Sequence, residues 1–158
     1  MTDKCRVRLQ VRVSNMSETV PLFKKYITRI HPRAWDYIEL VRLVDLPAGS
    51  FLLLWPTLSA LWFAGGGTPS LKNVLIFTVG VVLMHSAGCA INDYVDRDFD
   101  GSVRRTQGRP IPSGRISGKE ALIVCMVLML IGFGLVLLTN PITIALSVGA
   151  LLLALCYP

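Results

Sequence analysis

The chain has 158 residues, of which 53% are hydrophobic, and a formal net charge of +6. This composition is too apolar for an ordinary soluble domain and is typical of a polytopic membrane protein. The basic residues stand beside apolar segments, so membrane topology explains the positive charge better than nucleic-acid binding does. The four cysteines form no C-x-x-C pair and have no metal-ligand spacing, so they indicate neither a zinc site nor redox chemistry.

Residues 1–45 are predicted to be a basic cytoplasmic segment, because they hold nine of the sixteen Lys and Arg residues. The first fifteen residues show neither the apolar core nor the cleavage pattern of a secretory signal. Val7 to Val13 alternates with a period of two, unlike the helical face of a mitochondrial transit peptide. From Arg33 to Asp45, apolar and charged residues recur at helical spacing, which predicts an amphipathic helix on the membrane surface.

Residues 46–158 are predicted to be an all-α transmembrane domain with spans at about 46–64, 74–91, 118–138 and 142–157. The first of these has nineteen residues without a charge, close to the roughly 20 that cross a bilayer. Ser117 and Glu120 form a capping-box pattern before the third span, and Asn140 with Pro141 gives a start signal for the fourth. The fourth span reaches Pro158 without a flanking charge, so we expect a longer membrane domain of which this is the N-terminal part.

The connection at 92–117, between the second and third spans, is rich in arginine. The positive-inside rule therefore places it in the cytoplasm together with the N-terminal segment, and the two spans between them agree with that parity. We expect a bacterial inner membrane rather than a mitochondrial one.

Four aspartates lie at the start of this connection: Asp93, Asp96, Asp98 and Asp100. If the helix of the second span continues to Asp100 with Gly101 as its C-cap, each residue advances by about 100°. Asp93, Asp96 and Asp100 then share the face of Asn92, whereas Asp98 points to the other side. The spacing therefore predicts one cluster of three carboxylates and an amide.

Crowded carboxylates repel one another unless a cation intervenes, and all-oxygen ligands favour Mg²⁺. The predicted metal ligands are Asn92, Asp93, Asp96 and Asp100. Three arginines follow within a few residues and offer donors to phosphate oxygens: Arg104, Arg105 and Arg109. An acidic cluster followed by an arginine cluster predicts a site for Mg²⁺ and a diphosphate.

Three alternatives stay open at this point. A mixed-charge loop that only fixes topology, or serves a non-catalytic membrane scaffold as a docking surface, leaves the four aspartates unexplained. A calcium loop matches Asp96 to Gly101 but has Gln107 where a bidentate Glu is required. A phosphatidyltransferase also binds metal through aspartates, but its D-G-x-x-A-R opening is absent.

Two stretches carry a family resemblance. N-D-x-x-D-x-x-x-D at Asn92 to Asp100, followed by R-T-x-x-R-P-I-P-S-G at Arg105 to Gly114, resembles the first aspartate-rich motif of the UbiA prenyltransferase superfamily. L-L-L-W-P-T-L at Leu52 to Leu58 and A-G-C-A-I-N-D at Ala87 to Asp93 resemble its 4-hydroxybenzoate polyprenyltransferase branch. The resemblance extends from about Arg42 to Pro158.

The resemblance implies a bundle of about nine transmembrane helices around a cavity open to lipid. Members join a polyprenyl diphosphate to an aromatic acceptor, here 4-hydroxybenzoate, in ubiquinone synthesis with Mg²⁺. Asp96 and Asp100 are then the expected catalytic residues. Arg42 is a candidate to bind the benzoate carboxylate, and the alternative, which topology favours, is a positive-inside anchor for the first span. Family members carry a second aspartate-rich motif beyond their midpoint, so we expect residues 1–158 alone to be inactive.

Overall fold

The computed structural model describes residues 25–29, 31–43 and 46–156, and these are helices and turns without a strand. Residues 25–29 are helical. Six helices follow: α1 (Ala34–Leu40), α2 (Leu46–Ala64), α3 (Leu71–Val95), α4 (Arg97–Asp100), α5 (Gly118–Val136) and α6 (Pro141–Cys156). The chain divides into two units, Met1–Ile38 and Glu39–Pro158, and the residues of interest lie within the second. The all-α fold class is confirmed, whereas the basic residues before 25 lie outside the described ranges.

Two helices within the described residues are long and apolar enough to cross a membrane, namely α3 and α5. They correspond to the predicted second and third spans, and α3 extends the second from 74–91 to Leu71–Val95. Shorter apolar helices occupy the positions of the first and fourth spans, at Ser50–Ala64 and Pro141–Leu153. The helix positions thus follow the prediction, and four full crossings remain a prediction.

Small residues bring α3 close to α5, which is the most extensive helix contact of the second unit. A Cβ atom at Gly132 would stand 3.5 Å from the Met84 sulfur, and one at Gly118 would come within 2.9 Å of the Tyr94 ring. Glycines at such points let membrane helices approach one another closely. Outward-facing side chains on these helices are exposed and apolar, as at Leu130. A surface of this kind suits lipid or further helices rather than water.

The helix-start signals identified in the sequence for α5 and α6 are confirmed. The Ser117 hydroxyl accepts from the Glu120 amide at 3.3 Å while the Ser117 amide donates to the Glu120 carboxylate at 2.8 Å, so both halves of the capping box form. Asn140 Oδ1 accepts from the Thr143 amide at 2.8 Å, and α6 begins at Pro141. The arginine-rich connection therefore ends at the well-defined start of α5.

Two expected helix boundaries are wrong. The amphipathic helix predicted for Arg33 to Asp45 ends at Leu40, because Arg42 has a left-handed backbone with φ of 52° that a right-handed helix cannot accommodate. The helix of the second span does not run unbroken to Asp100: α3 ends at Val95, and Asp96 connects it to the single turn of α4. Gly101 has φ of −64°, so it does not supply the left-handed cap expected of it.

Candidate functional site

Residues 101–117, here called the arginine loop, fold back against the end of α3 in consecutive turns. The Ser113 amide donates to Arg109 O, and the Ile116 amide donates to Pro110 O. The Thr106 hydroxyl donates to the carbonyl oxygen of Asp100 at 3.0 Å, which ties the first turns to α4. Four side chains of the loop are buried: Thr106, Pro110, Ile111 and Ile116. The loop is therefore an ordered platform rather than a solvated connection.

This fold returns Arg109 to the aspartates that precede it. Its Nη1 atom donates to Asp93 Oδ1 at 3.1 Å and to Asp100 Oδ2 at 2.6 Å. Asp93 is 1% exposed and Asp100 is 8% exposed, so both carboxylates are largely withdrawn from water. A buried carboxylate needs a counter-charge, and one guanidinium nitrogen provides it for both.

Arg42 supplies a second counter-charge to Asp93. Its Nη2 atom lies 3.2 Å from Asp93 Oδ1, the same oxygen that Arg109 contacts. The left-handed backbone of Arg42, two residues after the end of α1, costs on the order of 1 kcal/mol for a residue with a side chain. Two aspartates and two arginines thus form a cluster of zero net charge, here called the Asp93 cluster: Arg42, Asp93, Asp100 and Arg109.

Asn92 and Asp96 form a separate pair at the surface. The Asn92 amide nitrogen donates to Asp96 Oδ2 at 3.0 Å. Asp98 lies further out, with a side chain that is 78% exposed and only a 3.6 Å ion pair to Arg97. The face predicted from helical spacing is therefore divided between a buried part, Asp93 and Asp100, and an open part, Asn92 and Asp96. Asp98 lies outside both, as that spacing predicts.

The three arginines predicted to bind diphosphate are in two different environments. Arg109 is in the Asp93 cluster with a side chain that is 25% exposed. Arg104 and Arg105 are exposed on the arginine loop, and neither forms an ion pair with another described residue. Their guanidiniums are accessible to an anionic ligand from solution.

Sequence reasoning missed the pair of Arg115 and Glu39. The Arg115 Nη1 atom donates to Glu39 Oε2 at 2.9 Å and its Nη2 atom donates to Oε1 at 3.2 Å, in a bidentate arrangement. Arg115 also donates to Ser113 Oγ at 3.0 Å and to the carbonyl oxygen of Gly108 at 2.7 Å. Gly108 precedes Arg109, so this clasp sets the position from which Arg109 reaches the aspartates. Glu39 and Arg115 are 76 residues apart, so the sequence offered no local signal for this pair.

The side chains predicted to bind Mg²⁺ are of a suitable chemical type. Carboxylate and amide oxygens are the ligands it prefers, and Asp93 and Asp100 already converge on one positively charged atom. Within the described residues, however, no three acidic, His or Cys side chains are gathered around a common point. The reason is geometric: Arg109 stands between the two buried carboxylates while Asp96 is turned to Asn92.

The UbiA prenyltransferase family matches residues 53–158. The chain belongs to this family. Its membership and the two long apolar helices indicate an integral membrane protein. The matched residues include α3, the aspartates and the whole arginine loop.

Similar curated proteins are named 4-hydroxybenzoate octaprenyltransferase. That of Azotobacter vinelandii is 61% identical over 132 residues, which are 84% of this chain and 44% of the relative. The proteins of Stutzerimonas stutzeri and Pseudomonas aeruginosa strain LESB58 are 60% and 58% identical, covering 82% and 85% of this chain and 43% and 45% of the relatives. The chain thus spans less than half the length of these relatives. No solved structure matches it significantly.

Proposed function

We propose that this chain contributes part of the site of an enzyme that transfers a polyprenyl group from polyprenyl diphosphate to the ring of 4-hydroxybenzoate, with Mg²⁺. The reaction belongs to ubiquinone synthesis and releases diphosphate. The observation that carries the proposal is the convergence of Asp93 and Asp100 on the Arg109 guanidinium. The chain is also 61% identical over 132 residues to a relative named 4-hydroxybenzoate octaprenyltransferase.

In this proposal Asn92, Asp93, Asp96 and Asp100 hold the metal, and Asp96 and Asp100 are the catalytic carboxylates. When bound, Mg²⁺ would stabilise the negative charge that develops on the diphosphate as the allylic C–O bond breaks. The electron pair of that bond stays with the diphosphate. The ring carbon ortho to the hydroxyl forms the new bond to the prenyl carbon, and the ring loses a proton.

The arginine loop would bind the diphosphate. Arg104 and Arg105 are exposed, so their donors reach a phosphate without first breaking an ion pair with a described residue. Guanidiniums bind phosphate oxygens through paired hydrogen bonds, and this orients as well as attracts the leaving group. Arg109 completes the set of three proposed ligands.

Arg42 would bind the carboxylate of 4-hydroxybenzoate. Its side chain is 35% exposed, and only its Nη2 atom contacts Asp93. A guanidinium has five N–H donors, so one bond to Asp93 leaves donors for a bidentate grip on a carboxylate. The same contact would fix the acceptor ring close to the aspartates.

The proposed setting is a bacterial inner membrane with the arginine loop in the cytoplasm. The excess of basic residues between the end of α3 and the first turn of α5 supports this orientation: Arg97, Arg104, Arg105, Arg109, Arg115 and Lys119. The relatives named above are bacterial. A cytoplasmic loop would meet a water-soluble acceptor, whereas the prenyl chain would stay in lipid.

A chimera tests the proposal, because the chain spans less than half of its relatives. In this chimera, the present sequence replaces the matching segment of the Azotobacter vinelandii protein. Membranes containing it receive octaprenyl diphosphate and labelled 4-hydroxybenzoate, with Mg²⁺ or with EDTA. We expect prenylated 4-hydroxybenzoate with Mg²⁺ and none with EDTA. Lack of product in folded chimera under both conditions would favour a non-catalytic membrane scaffold, and product in EDTA would refute the metal requirement.

A further inference from the structure

We propose that Arg109 is an exchangeable counter-ion. In the structure its guanidinium lies between Asp93 and Asp100, where a divalent cation would bind, and it moves to the diphosphate when that cation binds. The inference rests on the proposed function and assigns Arg109 two successive partners. It therefore differs from a fixed diphosphate ligand, which would have no effect on metal binding by itself.

The contacts of a single nitrogen atom, Arg109 Nη1, support its role as the counter-ion of both aspartates. Arg109 Nη1 donates simultaneously to Asp93 Oδ1 at 3.1 Å and to Asp100 Oδ2 at 2.6 Å. Their side chains are only 2% and 11% exposed, so water does little to screen their mutual repulsion. Without a cation between them, two buried carboxylates at this separation would destabilise the fold. Arg109 therefore supplies the positive charge between Asp93 and Asp100 that a bound metal ion would also supply.

The backbone around Arg109 is fixed, so exchange needs only a side-chain rotation. The carbonyl oxygen of Arg109 accepts from the Ser113 amide at 3.1 Å and from the Ser113 hydroxyl at 2.6 Å. The preceding carbonyl, of Gly108, is bound by Arg115. The Arg109 side chain is long and 25% exposed, which gives it a path to the surface. A guanidinium can thus leave the aspartates without unfolding the loop.

Charge balance links the exchange to substrate binding. With Arg109 in place, the Asp93 cluster has zero net charge, and Arg42 also contacts Asp93 Oδ1, at 3.2 Å. Arg42 would therefore still neutralise Asp93 after Arg109 leaves. A divalent ion in place of one guanidinium leaves the cluster with a net positive charge, and it frees the Arg109 donors for an anion. Metal and diphosphate should therefore each increase the affinity for the other, as linkage requires.

The test measures Mn²⁺ binding to the purified chimera by electron paramagnetic resonance, with and without inorganic diphosphate. Arg109→Gln removes the competing cation, so it should tighten Mn²⁺ binding in the absence of diphosphate by about tenfold or more. It should also reduce the further gain that diphosphate gives to the unsubstituted chimera. Lys119→Gln is the matched control, because it removes an equally charged, exposed side chain that forms no ion pair with another described residue. It should leave the diphosphate-free affinity unchanged.

Four outcomes are decisive. Tightened Mn²⁺ binding in Arg109→Gln alone supports the exchange. Equal or weaker binding than in the unsubstituted chimera overturns it while leaving the metal requirement intact. Failure of the unsubstituted chimera to bind Mn²⁺ even with diphosphate overturns the proposed metal site as well. If Arg109→Gln does not fold, Arg109→Lys decides: its single ammonium bridges less well, so binding should tighten by roughly threefold, and no tightening overturns the exchange.

Discussion

Breaking the clasp between Arg115 and Glu39 should loosen the arginine loop and weaken diphosphate binding. At an effective dielectric constant of about 20, unit charges about 3 Å apart attract by about 5 kcal/mol before solvation is counted. The side chains are 33% and 38% exposed, so water screens most of that attraction, and we expect about 1 kcal/mol of coupling. Arg115→Gln also loses the bonds to Gly108 and Ser113, which brings its cost to about 2 kcal/mol.

A double-mutant cycle measures this coupling. Arg115→Gln, Glu39→Gln and the double variant are made in the chimera, and their free energies of unfolding are compared by far-UV circular dichroism in denaturant. The KM for octaprenyl diphosphate should rise by about tenfold in Arg115→Gln, with a smaller effect on the KM for 4-hydroxybenzoate. Additive single effects, or an unchanged KM for octaprenyl diphosphate in a variant of lowered stability, would refute the clasp as a positioning element for Arg109.

Three further predictions concern other positions. Arg42→Gln should raise the KM for 4-hydroxybenzoate by about tenfold, because a charge-assisted contact is lost, while leaving the KM for octaprenyl diphosphate unchanged; equal effects on both would refute its assignment. Ser117→Ala removes half of the capping box and should lower the free energy of unfolding by about 1 kcal/mol, whereas no loss would show that α5 needs no cap. Gly114→Ala should lower the free energy of unfolding by about 1 kcal/mol, because Gly114 has a φ of 73° that alanine rarely adopts. The control Gly108→Ala adds its Cβ atom in open space and should change that free energy little. Equal losses in the two variants would argue against backbone strain.

Features that depend on neighbours in sequence were predictable. The capping box of Ser117 and Glu120 needs only three residues, and both bonds form as expected. Asn140 and Pro141 likewise start α6. The exposed position of Asp98 also agrees with the helical period, although α3 ends at Val95. Hydrophobic pattern and local caps therefore located the helices to within a few residues.

Contacts that depend on the folding of the arginine loop were not predictable. Asp93 and Arg109 are sixteen residues apart, and a series of turns brings them together. Arg115 and Glu39 are 76 residues apart, so no local pattern connects them. The left-handed backbone of Arg42 is rare for a residue with a side chain, and nothing in its neighbourhood indicates it. Motif reasoning therefore identified the charged residues and their chemistry, but could not show that arginines and aspartates pair with each other.

This pairing gives the aspartate-rich motif a structural role as well as a proposed metal-binding one. Two of its carboxylates are neutralised by arginines, and a third is bonded to Asn92. Such pairing keeps like charges stable at the end of α3 until a ligand replaces the guanidinium. Arg42 and Arg109 therefore stabilise the buried aspartates as well as serving as proposed substrate ligands. Removing either arginine should lower the free energy of unfolding as well as raise the KM for its substrate.

The turnover of Asp96→Asn compared with Asp98→Asn tests the central claim most directly. Both variants remove one carboxylate from the same short segment, but Asp96 faces Asn92 whereas the Asp98 side chain is 78% exposed. If the Asn92 face binds metal for catalysis, Asp96→Asn should lower kcat of the chimera by about a hundredfold or more, and Asp98→Asn should stay within about twofold of the unsubstituted protein. Equal turnover in the two variants would contradict the claim.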